Sequence, residues 1–205
     1  ADYSQIELRV LAHISNDEHM VQAFINGEDI HRQAASKVFN IPIDEVTKEQ
    51  RSNAKAVNFG IVYGISDFGL GEQLHISRKK AKQYIDQYLE MYSGIKKFME
   101  NIVESAKEKG YVETIFGRKR YLASELASSN GMIREFAKRA AINQPMQGTA
   151  ADLMKIAMID FSKKLKENNL KSKMIMQVHD ELVVEALKTE LDQIKKLIRE
   201  SMELH

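Results

Sequence analysis

Apolar residues at helical spacing dominate the chain, in segments divided by polar caps and glycines. The opening residues mix the two periods: Tyr3, Ile6, Leu8, Val10 and Leu11 read as a strand end running into a helix. Ser15, Asn16 and Asp17 form an N-cap cluster for a short helix ending at Phe24. Asn26 and Gly27 break it, Asp29 opens another helix to Phe39, and Asn40 to Pro42 is a loop. Thr47 and Gln50 fit a capping box, and the helix they start runs to Gly64. Residues 66–71 read as a glycine-punctuated loop. Ser77 then caps a helix carrying Tyr84, Tyr88 and Tyr92, and Ser93 and Gly94 divide it from a helix over 95–109.

The second half is similar. Residues 110–122 predict a strand, a turn at Gly117 and a basic strand with Arg118, Lys119 and Arg120. Residues 127–131 are the best linker. A helix over 132–143 carries Arg134, Lys138 and Arg139 and should stop at Pro145, with Gln147, Gly148 and Thr149 capping a second helix over 150–166. A basic connector leads to two apolar strands over 173–185, and an amphipathic helix covers 189–202. The predicted fold is α+β and predominantly helical. No internal repeat is visible.

The chain has 205 residues, 43% hydrophobic and 29% charged, with two prolines, so it can bury a core and should be globular. Its net charge of +1 announces no nucleic acid globally, so any such binding must come from local patches. The absence of cysteine excludes disulfides and thiolate sites. No apolar run reaches membrane-spanning length, so no membrane role is expected. The chain opens at Ala1 directly in a motif-like run, and its last helix has no stop signal, so a fragment is expected.

The chemistry begins at His179, Asp180 and Glu181, three titratable groups at the tip of the 173–185 hairpin, with no glycine or proline to make an ordinary turn. Adjacent carboxylates repel unless a cation neutralises them, so the tip fits either a divalent metal site or a solvated acidic turn. Asp2 supplies a second carboxylate at a strand end. If the two strands are neighbours, Asp2 and Asp180 can hold a pair of Mg²⁺ ions roughly 3.5–4 Å apart, as in-line phosphoryl transfer needs. The Thr47-capped helix supplies a complement. With Arg51 at the origin and about 100° per residue, Lys55, Phe59 and Tyr63 fall at about 40°, 80° and 120°. Ala54, Val57 and Ile61 form a separate packing face. Two cations suit a triphosphate, and two aromatic rings offer faces to a base or sugar. The Tyr84, Tyr88 and Tyr92 series reads as amphipathic packing rather than a stacking platform. The remaining histidines, His13, His19, His75 and His205, are scattered without metal-ligand spacing.

At these residues the chain resembles the polymerase domain of the family A DNA polymerases. Asp2 to Arg9 resembles the family's first motif. Arg51, Lys55, Phe59, Tyr63 and Gly64 at their spacing resemble the second, the nucleotide-binding fingers helix. Val178 to Glu181 resembles the third. Asp29, His31 and Arg32, and the run from Arg139 through Asn143 to Asp152, are also family-like. Five such segments in order cover essentially the whole chain.

The resemblance implies fingers helices plus part of an antiparallel palm sheet: palm over 1–15, fingers over 16–131, palm again over 132–205. It implies Asp2, Asp180 and the Tyr3 carbonyl as ligands of two Mg²⁺ ions, and Glu181 as an auxiliary acid. Arg51 and Lys55 would bind the incoming deoxynucleoside triphosphate, Lys55 also donating a proton to pyrophosphate. His31 and Gln5 would contact its phosphates and sugar. Glu7 would close the space that a ribose 2′-OH needs. Phe59 would stack on the nucleotide and, lacking a hydroxyl, discriminate against dideoxynucleotides. Tyr63 would hold the template position. Arg139, Asn143, Gln147 and His179 would touch primer-template DNA. The implied setting is bacterial DNA replication and repair in the cytoplasm. The thumb, part of the palm and an exonuclease-like domain fall outside these residues, so processive synthesis by the chain alone is not expected. Exposed palm surface would favour self-association. The alternative is a nucleotide- or DNA-binding module without catalysis. A metal phosphohydrolase built on His179 and Asp180 is disfavoured by the scattered histidines.

Overall fold

The computed structural model describes residues 1–203, so His205 lies outside the described residues. The fold is α+β and mostly helical, with two small antiparallel sheets. Contacts divide the chain into two compact units. One joins residues 1–7 to the segment from Gln147 onward, and the other is Leu8–Met146.

The larger unit is a helical array. Helix α1 (Ile6–Ser15) enters it, followed by α2 (Glu18–Ile25), α3 (Ile30–Phe39), α4 (Lys48–Val62), α5 (Asp67–Leu74), α6 (Arg78–Met91) and α7 (Ser93–Lys109). Local chemistry starts most of them. Asp17 accepts from Met20 N, Asp29 from His31 N and Arg32 N, and Ser77 from Lys80 N. Asp17 is 2% exposed and also accepts from Gly94 N at 2.8 Å, so one carboxylate ties α2 to the first turn of α7. Tyr84, Tyr88 and Tyr92 are all buried, as expected of a packing face. Strands β1 (Tyr111–Glu113) and β2 (Lys119–Tyr121) form the expected hairpin around Gly117, and α8 (Ala123–Leu126) follows.

Two expectations fail. Residues 66–71 are not a loop but the start of α5, because Ser66 Oγ accepts from Gly69 N and Leu70 is fully buried. The glycine at 71 serves close packing: a Cβ there would lie 3.0 Å from the Ile76 carbonyl oxygen. Pro145 does not stop a helix either. It lies inside α9 (Gly131–Glu167), which runs on through 37 residues. Proline removes one backbone hydrogen bond and crowds the carbonyl four residues back, a cost of about 3 kcal/mol. The neighbours Ala140, Ala141, Ile142, Met146 and Thr149 are buried, and their packing outweighs that cost. Residues 127–130 of the expected linker precede α9 and Gly131 is its first residue, whereas the contact boundary falls later, between Met146 and Gln147.

The smaller unit packs α9 from Gln147 onward and α10 (Leu191–Glu203) on the hairpin β3 (Lys173–Val178) and β4 (Glu181–Glu185). Met154, Ala157, Phe161, Leu182, Ile194 and Ile198 form its core. Glu190 fixes the entry to β3, accepting from Lys171 N and Ser172 N.

Candidate functional site

In the smaller unit, β3 and β4 pair so that Val178 faces Glu181, and His179 and Asp180 close the turn. His179 has φ 50°, a left-handed conformation that non-glycine residues adopt at a cost. Gln177 Nε2 donates to the His179 carbonyl at 2.7 Å and braces the turn. The first three residues line up along β4. Asp2 forms an antiparallel bridge with Glu181, Tyr3 N donates to the Asp180 carbonyl at 3.1 Å, and Leu182 N donates to the Ala1 carbonyl at 2.7 Å. Segments from the two ends of the sequence thus meet at the acidic tip. Leu182 is fully buried and pins the pairing to the core. Tyr3 packs on the same core, and burial raises its phenol above the usual range. Gln5 takes φ 55° just before α1, a second strained non-glycine position, and Glu7 lies half-buried in the first turn of that helix.

The groups at the tip that could hold a metal are all oxygens: the carboxylates of Asp2, Asp180 and Glu181 and the Tyr3 carbonyl. That set fits Mg²⁺, which takes one or two carboxylates and leaves positions for water and phosphate. Among the described residues no three histidine, aspartate or glutamate side chains gather into a metal-ligand cluster.

In the larger unit, α4 presents the cationic and aromatic stripe. The capping box is formed in both directions: Gln50 N donates to Thr47 Oγ1, and Thr47 N to Gln50 Oε1. Arg51 Nε donates to Asp29 Oδ2 at 2.6 Å, while Asp29 Oδ1 caps α3. Burial alone would raise the Asp29 carboxyl, but the Arg51 hydrogen bond, the capped N–H groups and the Arg51 charge hold it below its ordinary value. Lys55 is exposed, with Nζ 5.8 Å from the Phe59 ring. Phe59 and Tyr63 stack at 6.2 Å with 20° between planes. A cleft of about 600 Å³ opens beside them, lined by Phe59, Tyr63, Ser66, Gln73 and Arg139. His31 is 2% exposed, its ring 5.8 Å from that of Phe59. Burial, then the charge of Arg51, lowers its pKa and favours the neutral imidazole.

The sequence pattern of DNA polymerase family A matches residues 1–205. The chain belongs to DNA polymerase family A. It is 57% identical over 203 residues to DNA polymerase I of Bacillus subtilis (strain 168), covering 99% of this chain and 23% of that protein. It is 57% identical over 204 residues to DNA polymerase I of Streptococcus pneumoniae serotype 4, with the same coverage of each. Among solved structures it resembles the POL domain of Pol1 from M. smegmatis, in complex with DNA primer-template and dNTP. The TM-score is 0.93 and the identity 46%, over 98% of this chain and 35% of that one. The chain therefore spans about a quarter of the curated family A relatives it matches.

Within this family A chain, each unit gathers its own part of the expected set. The smaller unit holds Asp2, Tyr3, Gln5, Glu7, Gln147, His179, Asp180 and Glu181, and the larger holds His31, Arg51, Lys55, Phe59, Tyr63, Arg139 and Asn143. Arg139 is exposed on α9 beside Gly64, Asn143 is half-buried, and Gln147 and His179 are exposed. Sequence reasoning did not assign roles to Asp29 as the partner of Arg51, to Gln73 in the cleft, or to Asn58. Asn58 is fully buried, with Nδ2 2.7 Å from His31 Nδ1. Its signal was an asparagine, a poor helix former, in mid-helix at about 340° on the same wheel, between the packing face and the stripe.

Proposed function

We propose that this chain is the nucleotide-selecting and metal-holding part of a DNA-directed DNA polymerase, which adds dNMP to a primer 3′-OH opposite a DNA template. The observation that carries the reading is the pairing of Asp2 with Glu181 at the hairpin tip, two carboxylate-bearing segments from opposite ends of the sequence. Asp2, Asp180 and the Tyr3 carbonyl would hold two Mg²⁺ ions, which when bound activate the attacking hydroxyl and stabilise charge on the leaving pyrophosphate. Glu181 assists as a nearby acid. Arg51, Lys55 and His31 bind the triphosphate, and Lys55 gives a proton to pyrophosphate. Asp29 engages only Nε of Arg51, so the terminal guanidinium nitrogens remain for phosphate.

Gln5 contacts the nucleotide, and Glu7 closes the space for a 2′-OH. Phe59 stacks on the nucleotide, Tyr63 holds the template position, and Arg139, Asn143, Gln147 and His179 hold primer-template DNA. In the proposed division, 1–15 and 132–205 are palm and 16–131 are fingers, in a cytoplasmic protein of replication and repair. The reading is tested in the whole protein by magnesium-dependent primer extension. Asp180→Ala should abolish dNTP addition, and undiminished synthesis would sink the metal assignment.

A second reading rests on the larger unit, which carries the cationic stripe and the cleft but none of the metal carboxylates. On that reading the chain alone binds a nucleotide without turning it over. A primed template left unextended by a chain that still binds dNTP would favour it.

A further inference from the structure

We propose that Asn58 is a positioning residue for His31: its side-chain amide donates to Nδ1 and so fixes the imidazole as the tautomer with its proton on Nε2, a donor for a nucleotide phosphate. The inference rests on the reading of the Arg51–Lys55 stripe as a nucleotide site. The geometry is a 2.7 Å contact between Asn58 Nδ2 and His31 Nδ1, with both residues buried. Asn58 Oδ1 makes no hydrogen bond. Exchanging the amide nitrogen and oxygen would place two buried N–H donors where Oδ1 now stands without a partner. A buried unpaired donor is rarer and costlier than an under-used carbonyl, so the amide nitrogen belongs toward the ring. With Nδ1 accepting, a neutral imidazole has one donor left, Nε2–H.

The charged groups around the ring agree with this. Burial opposes protonation most, and Arg51 and then Lys55 on α4 oppose it further; Asp29, at the start of α3, acts the other way. A proton added to Nδ1 would also confront the Asn58 N–H. His31 therefore acts as a neutral donor beside two cations. A third positive charge, on the ring, is not needed for phosphate, and a single fixed N–H gives direction that a Lys does not. The ring edge also abuts Phe59, so its orientation is shared with the aromatic wall of the stripe.

The test is nitrogen-15 NMR of the His31 ring in the 205-residue chain without nucleotide, followed by dATP titration. The expected spectrum at neutral pH is the neutral ring protonated on Nε2. Asn58→Asp should move the proton to Nδ1, raise the pH at which the ring titrates, and weaken dATP binding about tenfold. A wild-type ring protonated on Nδ1 overturns the proposal without needing any variant to fold. Unchanged dATP affinity in Asn58→Asp, while Lys55→Ala loses binding, overturns the positioning role. If neither variant changes dATP binding, the nucleotide reading itself fails, and this inference falls with it.

Discussion

A Cβ placed on Gly64 would lie 2.8 Å from Cγ of Arg139, and Gly64 takes φ +69°. The glycine that follows α4 therefore does two things: it turns the backbone left-handed, and it lets α9 bring Arg139 against the end of α4. Gly64→Ala should cost about 1–2 kcal/mol from the backbone alone. It should also displace Arg139 from the cleft. In a denaturation double-mutant cycle, Arg139→Ala should recover the steric part of the loss and leave the backbone part. Full additivity would mean that the two residues do not press on each other.

Asp17 ties two helix starts with one buried carboxylate. Asp17→Ala removes the cap of α2 and orphans Gly94 N–H, so a loss of about 2–3 kcal/mol is expected by urea denaturation. Asp17→Asn should lose less, because the amide oxygen can still accept one of the two bonds.

Lys55 is exposed on the stripe, with Nζ 5.8 Å from the centre of the Phe59 ring. Lys55→Ala should weaken dNTP binding by the chain about tenfold, measured by calorimetry. The wild-type affinity should fall with added salt more steeply than the mutant's, since one charge contact is gone. Equal affinities would mean that the stripe is only a solvated face.

Burial and the Arg51 charge lower the His31 pKa, so the folded chain binds fewer protons there than the unfolded chain once the pH drops below about 6.5. This contribution to stability is complete above that pH and is lost as pH falls below it. Asp29 acts in the same direction but only near and below about 3.9, where its depressed carboxyl begins to matter. A melting temperature that falls between pH 7.5 and 5.5, and a flatter profile in His31→Gln, would be the signature. An unchanged profile in that variant would place the proton uptake elsewhere.

Strand β3 has β4 as its one partner among the described residues, and Ile175, Met176 and Val178 on it are exposed. An apolar free edge is a template for pairing with another chain. Sedimentation should show concentration-dependent self-association of the isolated chain, reduced by Ile175→Lys. A monomer at all concentrations would show that the edge is protected.

The elements that were legible in the sequence are those whose signal is local. Asp17 and Thr47 announce their helices by cap chemistry that acts within three residues. The hairpin over 173–185 and the helix that follows it showed in the same way. Residues 67–74 were not legible, because a glycine needed for close approach has the same letter as a glycine needed for a turn. Pro145 was misleading for a related reason: the rule that stops a helix at proline is local, and the packing of α9 is not. The α4 stripe was readable from spacing. The Asp29–Arg51 pair and the Asn58–His31 contact were not, because each joins α3 to α4 across an intervening loop that spacing on one helix cannot reveal.

The long run of α9 has a practical consequence for dissection. The contact boundary between Met146 and Gln147 lies inside a continuous helix, one residue after Pro145, rather than in a loop. A protease that cuts exposed linkers has no such target there. A gene cut at the boundary would leave four unpaired backbone groups on each new helix end. The two units are separate by contact but not by the chain, so studying either alone requires a new cap on α9 rather than only a shorter gene.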